Sequence, residues 1–373
     1  MTVELHDNYS DIITFTRASS GSYLDSDGLL KTASSNVPRV EYDADGNRLG
    51  LLIESARTNL ITHSNDFTNS SWGADTQNTT ITSNFATSVD GATNADRVVS
   101  SSTSWNFRTS HSLTAAPYTF SVWVKSNTGS NQNFGLYFSG ASNPSGDYVA
   151  TSQWQRFVLT GTVTTTSSGV GLFNGSSGQT VDLLVYGAQL ELSEFATSYI
   201  QTSGSTATRS ADVASISTSS FGYNDREGTL FVHLGDINFG SSGFPRVVEI
   251  GNSSNNGERI LFYVSASAGN YAFDVRASGV SQASTTLSGG NSSPFGPAKS
   301  ALAFRNNDVA AVIDGGDVVT DTSANVTGTT YERNLIKFGG GTTNANDQLN
   351  GHLLSVKYYP RRLTNTQIKR LTQ

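Results

Sequence analysis

The stretch YGAQLELSEFATSYIQTSGSTATRSAD, residues 186–212, decides how the chain is divided, because it ends one β-rich unit, crosses a polar connector and opens another. Just before and into it, Val181, Leu183 and Val185 alternate with Asp182, Leu184 and Tyr186. Side chains of a strand point to opposite faces with a period of two, so this is strand patterning. After Glu191 the apolar period is lost, and Ile200 gives way to QTSGSTATRSAD. Ser, Thr, Gly and Ala bury too little surface to offset the entropy of ordering, which predicts a linker or a strand wrapped on the surface.

Upstream, from Asn59 to Ile200, the pattern is that of an antiparallel sandwich. Tyr118, Phe120, Val122 and Val124 alternate with Thr119, Ser121, Trp123 and Lys125, and similar runs recur at 134–138 and 154–159. Strands spaced by Gly/Ser/Asn turns, with no helical period between them, pack as sheets face to face. Downstream the style repeats, with strands expected at 229–234, 246–250, 259–264, 270–276, 301–305, 308–313 and 351–359. Residues 1–58 hold short strands between the turn signals Ser20-Gly21, Asp27-Gly28 and Asp45-Gly46. So short a segment would form a small core alone, and it is expected to dock or to add strands to a larger unit. TFTRASSG at 14–21 and TATRSADV at 206–213 form an internal echo, read as two similar strands that begin each sandwich.

One helix is expected, at the C-terminus. Thr364 can cap it, Gln367 completes a capping box, and Leu363 with Ile368 form the staple, while Lys369 and Arg370 suit the negative end of the helix dipole. It would close one end of the second unit. The fold class is therefore all-β: two antiparallel β-sandwich (jelly-roll) domains at 59–200 and 213–373, a linker at 201–212, an N-terminal β segment at 1–58 and a short C-terminal helix.

Composition supports this and removes several functions. The chain has 373 residues, of which only 14% are charged, with 36 Gly and 7 Pro, a mixture that suits short strands and tight turns. A net charge of -7 gives no basic stripe for nucleic acid. The absence of cysteine rules out disulfides and thiolate metal sites. The N-terminus MTVELHDNYSDIITF lacks a basic n-region and an apolar h-region, and no run reaches the ~18 apolar residues of a membrane span. The expectation is a protein made in a cytoplasm without membrane insertion.

Taken together, TFTRASSGSYLDSDGLL at 14–30, PRVEYDADGNRLGLLIESARTNLI at 38–61, GAQLELSEFATSYIQT with TRSAD at 187–212, and YYPRRLTNTQIKRL near the end resemble a family of bacteriophage virion proteins. Its members combine a carbohydrate-binding-module-like sandwich with a concanavalin- or laminin-G-like jelly roll and are described as tail-fibre, tailspike or capsid-surface proteins. The resemblance implies a structural protein on the virion surface, with other virion proteins as partners and host-surface polysaccharide as a ligand. A homo-oligomer, a trimer above others, would supply avidity. Two other readings stand beside it: an architectural decoration, cement or tail component that binds no sugar, and a polysaccharide depolymerase.

For the depolymerase, concanavalin-like hydrolases carry E-x-D-x-x-E, whose alternate carboxylates enter one cleft. Glu41-Tyr42-Asp43-Ala44-Asp45-Gly46 ends in Gly where the second Glu should stand. No G-x-S-x-G, Walker A or H-E-x-x-H sequence occurs, and His6, His63, His111, His233 and His352 show no ligand spacing. No catalytic residue is assigned. Calcium is the metal that the oxygen-rich side chains would suit, at the D-x-D pairs Asp25/Asp27 and Asp43/Asp45 or at Asp182, with turn formation as the competing role. For glycan binding, an exposed aromatic face beside polar groups is needed. Trp105 in SSSTSWNFRTS, Tyr137 on the polar face of its strand and Tyr148 in GDYVA have that setting, whereas Trp72, Trp123 and Trp154 read as core.

Overall fold

A computed structural model describes residues 13–73, 76–142, 145–238, 243–265, 270–287, 296–327, 332–340 and 347–373. The chain forms two compact units. Unit 1 takes the chain up to Ser20, Ala33–Ser55 and Ser210–Gln373, and unit 2 takes Gly21–Thr32 and Ala56–Arg209. Residues 13–58 are thus apportioned between both.

Unit 2 is a sandwich of two antiparallel sheets. One runs in the order β13 (Gln155–Thr162), β10 (Pro117–Ser126), β15 (Asp182–Glu191), β8 (Thr93–Ser100), β7 (Thr79–Thr87). The other runs β12 (Ser145–Ala150), β11 (Gln132–Phe138), β14 (Ser167–Phe173), β9 (Asn106–Ser112). Between them lie Phe120, Val122 and Val124 from the first sheet and Phe107, Leu136, Phe138 and Leu172 from the second, all buried. The hairpin of β2 (Gly21–Leu24) and β3 (Leu30–Ala33) and the pair β6 (Arg57–Asn59) and β16 (Ala207–Arg209) complete the strands.

Unit 1 carries two seven-stranded antiparallel sheets. The first is β1 (Thr14–Thr16), β17 (Val213–Ser217), β26 (Leu335–Phe338), β19 (Arg246–Asn252), β20 (Asn255–Ser265), β21 (Asn270–Ala277), β22 (Val280–Leu287). The second is β25 (Val319–Asp321), β24 (Val309–Ile313), β23 (Ala298–Arg305), β18 (Glu227–Ile237), β27 (Gly351–Tyr359), β5 (Arg48–Ile53), β4 (Val40–Tyr42). Leu230, Val232, Leu302 and Val309 face the main core with Val248, Ile260 and Phe273 of the other sheet. The alternate residues Phe231, Ala301, Ala303, Ala310 and Val312 face the other way and are buried with Leu363 and Ile368. Helix α1 (Asn365–Leu371), with the Thr364–Gln367 capping box formed, therefore covers the outer face of the second sheet rather than closing an end of the roll.

The opening stretch proves more ordered than its loss of apolar period implied. Glu191, fully buried, accepts from the Thr197 amide at 2.9 Å, the Thr197 hydroxyl at 2.7 Å and Gln189 Nε2 at 2.8 Å. Buried Asn59 uses all its capacity: Nδ2 donates to the carbonyls of Ala188 and Ile200, and Oδ1 accepts from the amides of Ile61 and Leu190. Polar side chains with every partner supplied can replace apolar ones in an interior, which is why no periodicity marks them. Residues 201–212, expected as a linker, contain β16 and end at Asp212, which is 0% exposed.

Within unit 1 three of the four segments that carried the resemblance converge on Asp212. Arg17 Nη1 donates to its Oδ1 at 3.0 Å, and Arg39 Nη2 and the Glu54 amide donate to Oδ2 at 2.5 and 2.9 Å. Arg39 also meets Glu54 Oε2 at 2.9 Å. Burial works against the Arg39 charge, but Glu54 and Asp212 more than offset it and hold its pKa above the ordinary value. The TFTR and TATR echo ends in two buried arginines, Arg17 and Arg209, at the ends of short strands, one in each unit.

Candidate functional site: an aromatic and guanidinium pocket on the four-stranded sheet

The outward face of the sheet β12-β11-β14-β9 is set by register. Gly135 lies opposite Phe173 and Asp147, and Phe173 lies opposite Asn106. In the next row Tyr137 lies opposite Gly171 and Ser145, and Gly171 opposite Arg108. The two strands β11 and β14 share the tripeptide pattern Gly-Leu-aromatic, at 135–137 and 171–173. Antiparallel pairing sets each glycine against the other strand's aromatic, and each leucine faces the core. The glycines are required by space: a Cβ on Gly135 would fall 2.1 Å from the Phe173 ring, and one on Gly171 would fall 2.1 Å from the Phe107 carbonyl oxygen.

The result is a pocket of about 270 Å³ with an apolar floor at the Phe173 ring. Ser104, Asn106, Arg108, Ser145 and Asn174 supply its polar wall. Tyr137 and Phe173 meet edge to face at 6.1 Å, and the Arg108 guanidinium lies over the Tyr137 ring at 5.0 Å. Such stacking fixes the plane of the guanidinium against the ring. Asn106 Oδ1 is buried with no hydrogen-bond partner, an acceptor available to a hydroxyl. Beside the pocket, Ser176 donates its hydroxyl and amide to Asp147 and holds that carboxyl below its usual range.

Of the three aromatics expected to bind glycan, only Tyr137 presents its ring on this face. Trp105 is 1% exposed: it packs in the core, and its indole N–H donates to the Gln179 carbonyl at 3.0 Å. It borders the pocket but has no free face. Tyr148 lies in strand β12 rather than a loop, and alternation turns it to the core side, against Phe134 and Phe157, with its hydroxyl donating to the Val158 carbonyl at 2.6 Å. Arg108, Phe173 and Asn106 were not anticipated. The repeated Gly-Leu-aromatic pattern was the available signal.

The other candidates have structural duties. Asp182 receives Arg97 Nε and Nη2 at 2.8 and 2.7 Å and Asn127 Nδ2 at 3.0 Å, so an ion pair occupies the carboxylate proposed for calcium. Asp25 accepts from the Asp27 and Leu29 amides, and Asp43 from the Asp45 and Asn47 amides, which is turn formation. Among the described residues no group of three or more His, Asp or Glu side chains could hold a metal ion. Glu41 meets His352 Nε2 at 2.8 Å, while Asp43 accepts from the Asp45 amide within its own turn.

No family model matches the chain, and no curated protein matches it. Solved structures are similar in part. The Ruminococcus gnavus IT-sialidase CBM40 bound to alpha2,6 sialyllactose is 12% identical, with 40% of this chain and 85% of that chain covered at a TM-score of 0.32. A botulinum neurotoxin type C structure is 11% identical over 43% of this chain and 39% of that chain, at 0.33. A leech intramolecular trans-sialidase is 14% identical over 40% of this chain and 23% of that chain, at 0.31. The class that fold and site define is a two-unit, all-β protein with an aromatic- and guanidinium-lined pocket on one sheet of unit 2.

Proposed function

We propose that this protein is a non-enzymatic glycan-binding protein of a virion surface, which contacts host polysaccharide through the pocket at Tyr137, Phe173 and Arg108. The observation that carries the binding reading is the pocket itself: an apolar ring surface, a stacked guanidinium and an unpartnered amide oxygen converge on one site. Sugars offer C–H faces for the ring and hydroxyls for the polar rim. The virion setting, tail or capsid, with other virion proteins as partners, is supported by the sequence resemblance, and self-association as a trimer by the avidity that weak sites need.

The energetics favour many weak contacts. Half an aromatic face covers ~60 to 100 Å², worth ~2 kcal/mol, and two hydrogen bonds add ~1 kcal/mol each. The sum, ~4 kcal/mol, is a millimolar site. Multiplicity on a particle converts such a site into durable attachment. The test is a glycan array probed with the full chain displayed multivalently, beside Tyr137→Ala. Binding of defined glycans that Tyr137→Ala weakens about tenfold with unchanged melting is expected. No binding to any glycan would favour an architectural role, and release of reducing sugar would favour a depolymerase.

A further inference from the structure

The outer face of the first sheet of unit 1 holds a second pocket, also of about 270 Å³, whose chemistry differs from that of the first. Its floor follows from register. Leu261 stands between Glu249 and Asp274, and in the next row Gly251, Arg259, Arg276 and Ser281 follow one another across β19, β20, β21 and β22. The opposite side chains of these strands, Ile250, Ile260 and Val275, fill the core. Arginines and carboxylates therefore occupy the face where a plain sheet surface would carry small polar residues.

Three guanidinium groups, Arg246, Arg259 and Arg276, line the pocket against two carboxylates, Asp274 and Asp347. Asp274 is saturated by the first partner: Arg259 Nε and Nη2 reach its Oδ2 at 2.7 and 2.6 Å, and Ser281 donates to Oδ1 at 2.7 Å. Arg246 Nε reaches Asp347 at 3.3 Å, and its Nη1 pairs with Glu249. Arg276 is left with the weakest contact, 3.7 Å to Asp274, and its Nε is buried with no hydrogen-bond partner. Asp274 and Arg246 have side chains only 6% and 7% exposed, so this is a fixed constellation rather than a solvated charge run. On the rim, Phe244 is 55% exposed and meets Tyr263 edge to face at 5.9 Å.

We infer that this pocket binds an acidic saccharide, with the sugar's carboxylate against Arg276 and its ring against Phe244 and Tyr263. Arg276 is the guanidinium of the three with no close carboxylate partner, and with a third of its side chain exposed it suits a planar carboxylate through paired N–H···O bonds. A neutral sugar would leave Arg276 with no anionic partner nearer than the 3.7 Å contact to Asp274. The inference stands on unit 1 alone and does not depend on the pocket of unit 2.

The test is calorimetric titration of the full chain with a galacturonate trimer, with the galactose trimer of the same linkage and with sodium acetate. The acidic trimer should bind at ~1 mM or tighter, and the galactose trimer and acetate each at least about tenfold more weakly. Arg276→Gln, on a side chain one-third exposed, should lose about tenfold, Phe244→Ala should lose severalfold, and Tyr137→Ala should change nothing. Raising salt from ~50 to ~300 mM should weaken binding. Equal affinity for the neutral trimer or for acetate, full affinity in Arg276→Gln, or no heat from the acidic trimer at ~10 mM would each overturn the inference. Loss in Tyr137→Ala with Arg276→Gln unaffected would move the acidic sugar to the other pocket and refute this one.

Discussion

Replacing Asp212 by Asn keeps the side-chain shape and removes one negative charge from a cluster with no solvent access. Arg17, Arg39 and Asp212 have side chains 0% exposed and Glu54 6%, so the Asp212 carboxylate joins two buried guanidinium groups inside unit 1. The substitution takes the shared carboxylate charge away from both arginines, and an amide N–H2 would face a guanidinium that can only donate. Breaking a buried pair by removing one partner costs about 3–5 kcal/mol, a third or more of a domain's usual stability. With a urea m-value of roughly 2–3 kcal/mol/M, the unit 1 transition should move down by about 1–2 M. All four tryptophans, Trp72, Trp105, Trp123 and Trp154, belong to unit 2, so tryptophan emission reports that unit while far-UV circular dichroism reports both. The expected result is an early phase in circular dichroism that tryptophan emission does not follow. A shift below ~0.3 M would show that water or rearrangement compensates the charge, and the reasoning about a closed ion cluster would fail.

Gly135→Ala should push the half-buried Phe173 ring aside, costing about 1–2 kcal/mol in urea melts and weakening glycan capture. Gly171→Ala, whose Cβ meets backbone, should cost clearly more. His111, whose pKa burial lowers to about 4, should make unit 2 acid-sensitive. The unfolded chain takes up the proton first, near pH 6.5, so stability is full above that and falls as pH drops towards about 4, by at most on the order of 3 kcal/mol. His111→Gln should flatten that pH dependence when tryptophan-monitored melts are compared at pH 7 and pH 4.5. Thr364→Ala should remove the capping box of α1 and cost about 1 kcal/mol, read as a lower melting midpoint by circular dichroism.

What the sequence determined by itself was whatever is local. Period-two alternation located β10, β11, β13 and seven of the fourteen strands of unit 1, Asp-Gly marked the β2–β3 and β4–β5 turns, and Thr364 with Gln367 marked the helix start. Neighbouring residues decide these features, since side-chain direction and turn geometry are set within a few bonds. Only the tertiary structure decided which strands share a sheet. It gave β4 and β5 to the unit that ends the chain, and it brought Arg17, Arg39, Glu54 and Asp212 to one buried point across as many as 195 positions. It likewise separated Tyr137 from Trp105 and Tyr148. All three are aromatics in polar surroundings, but a one-residue change of parity along a strand moves a ring from solvent to core, and parity is fixed by the register with a distant partner. Both pockets are products of register in the same way: residues opposite one another on four strands make each site, and no single strand carries more than a third of its chemistry.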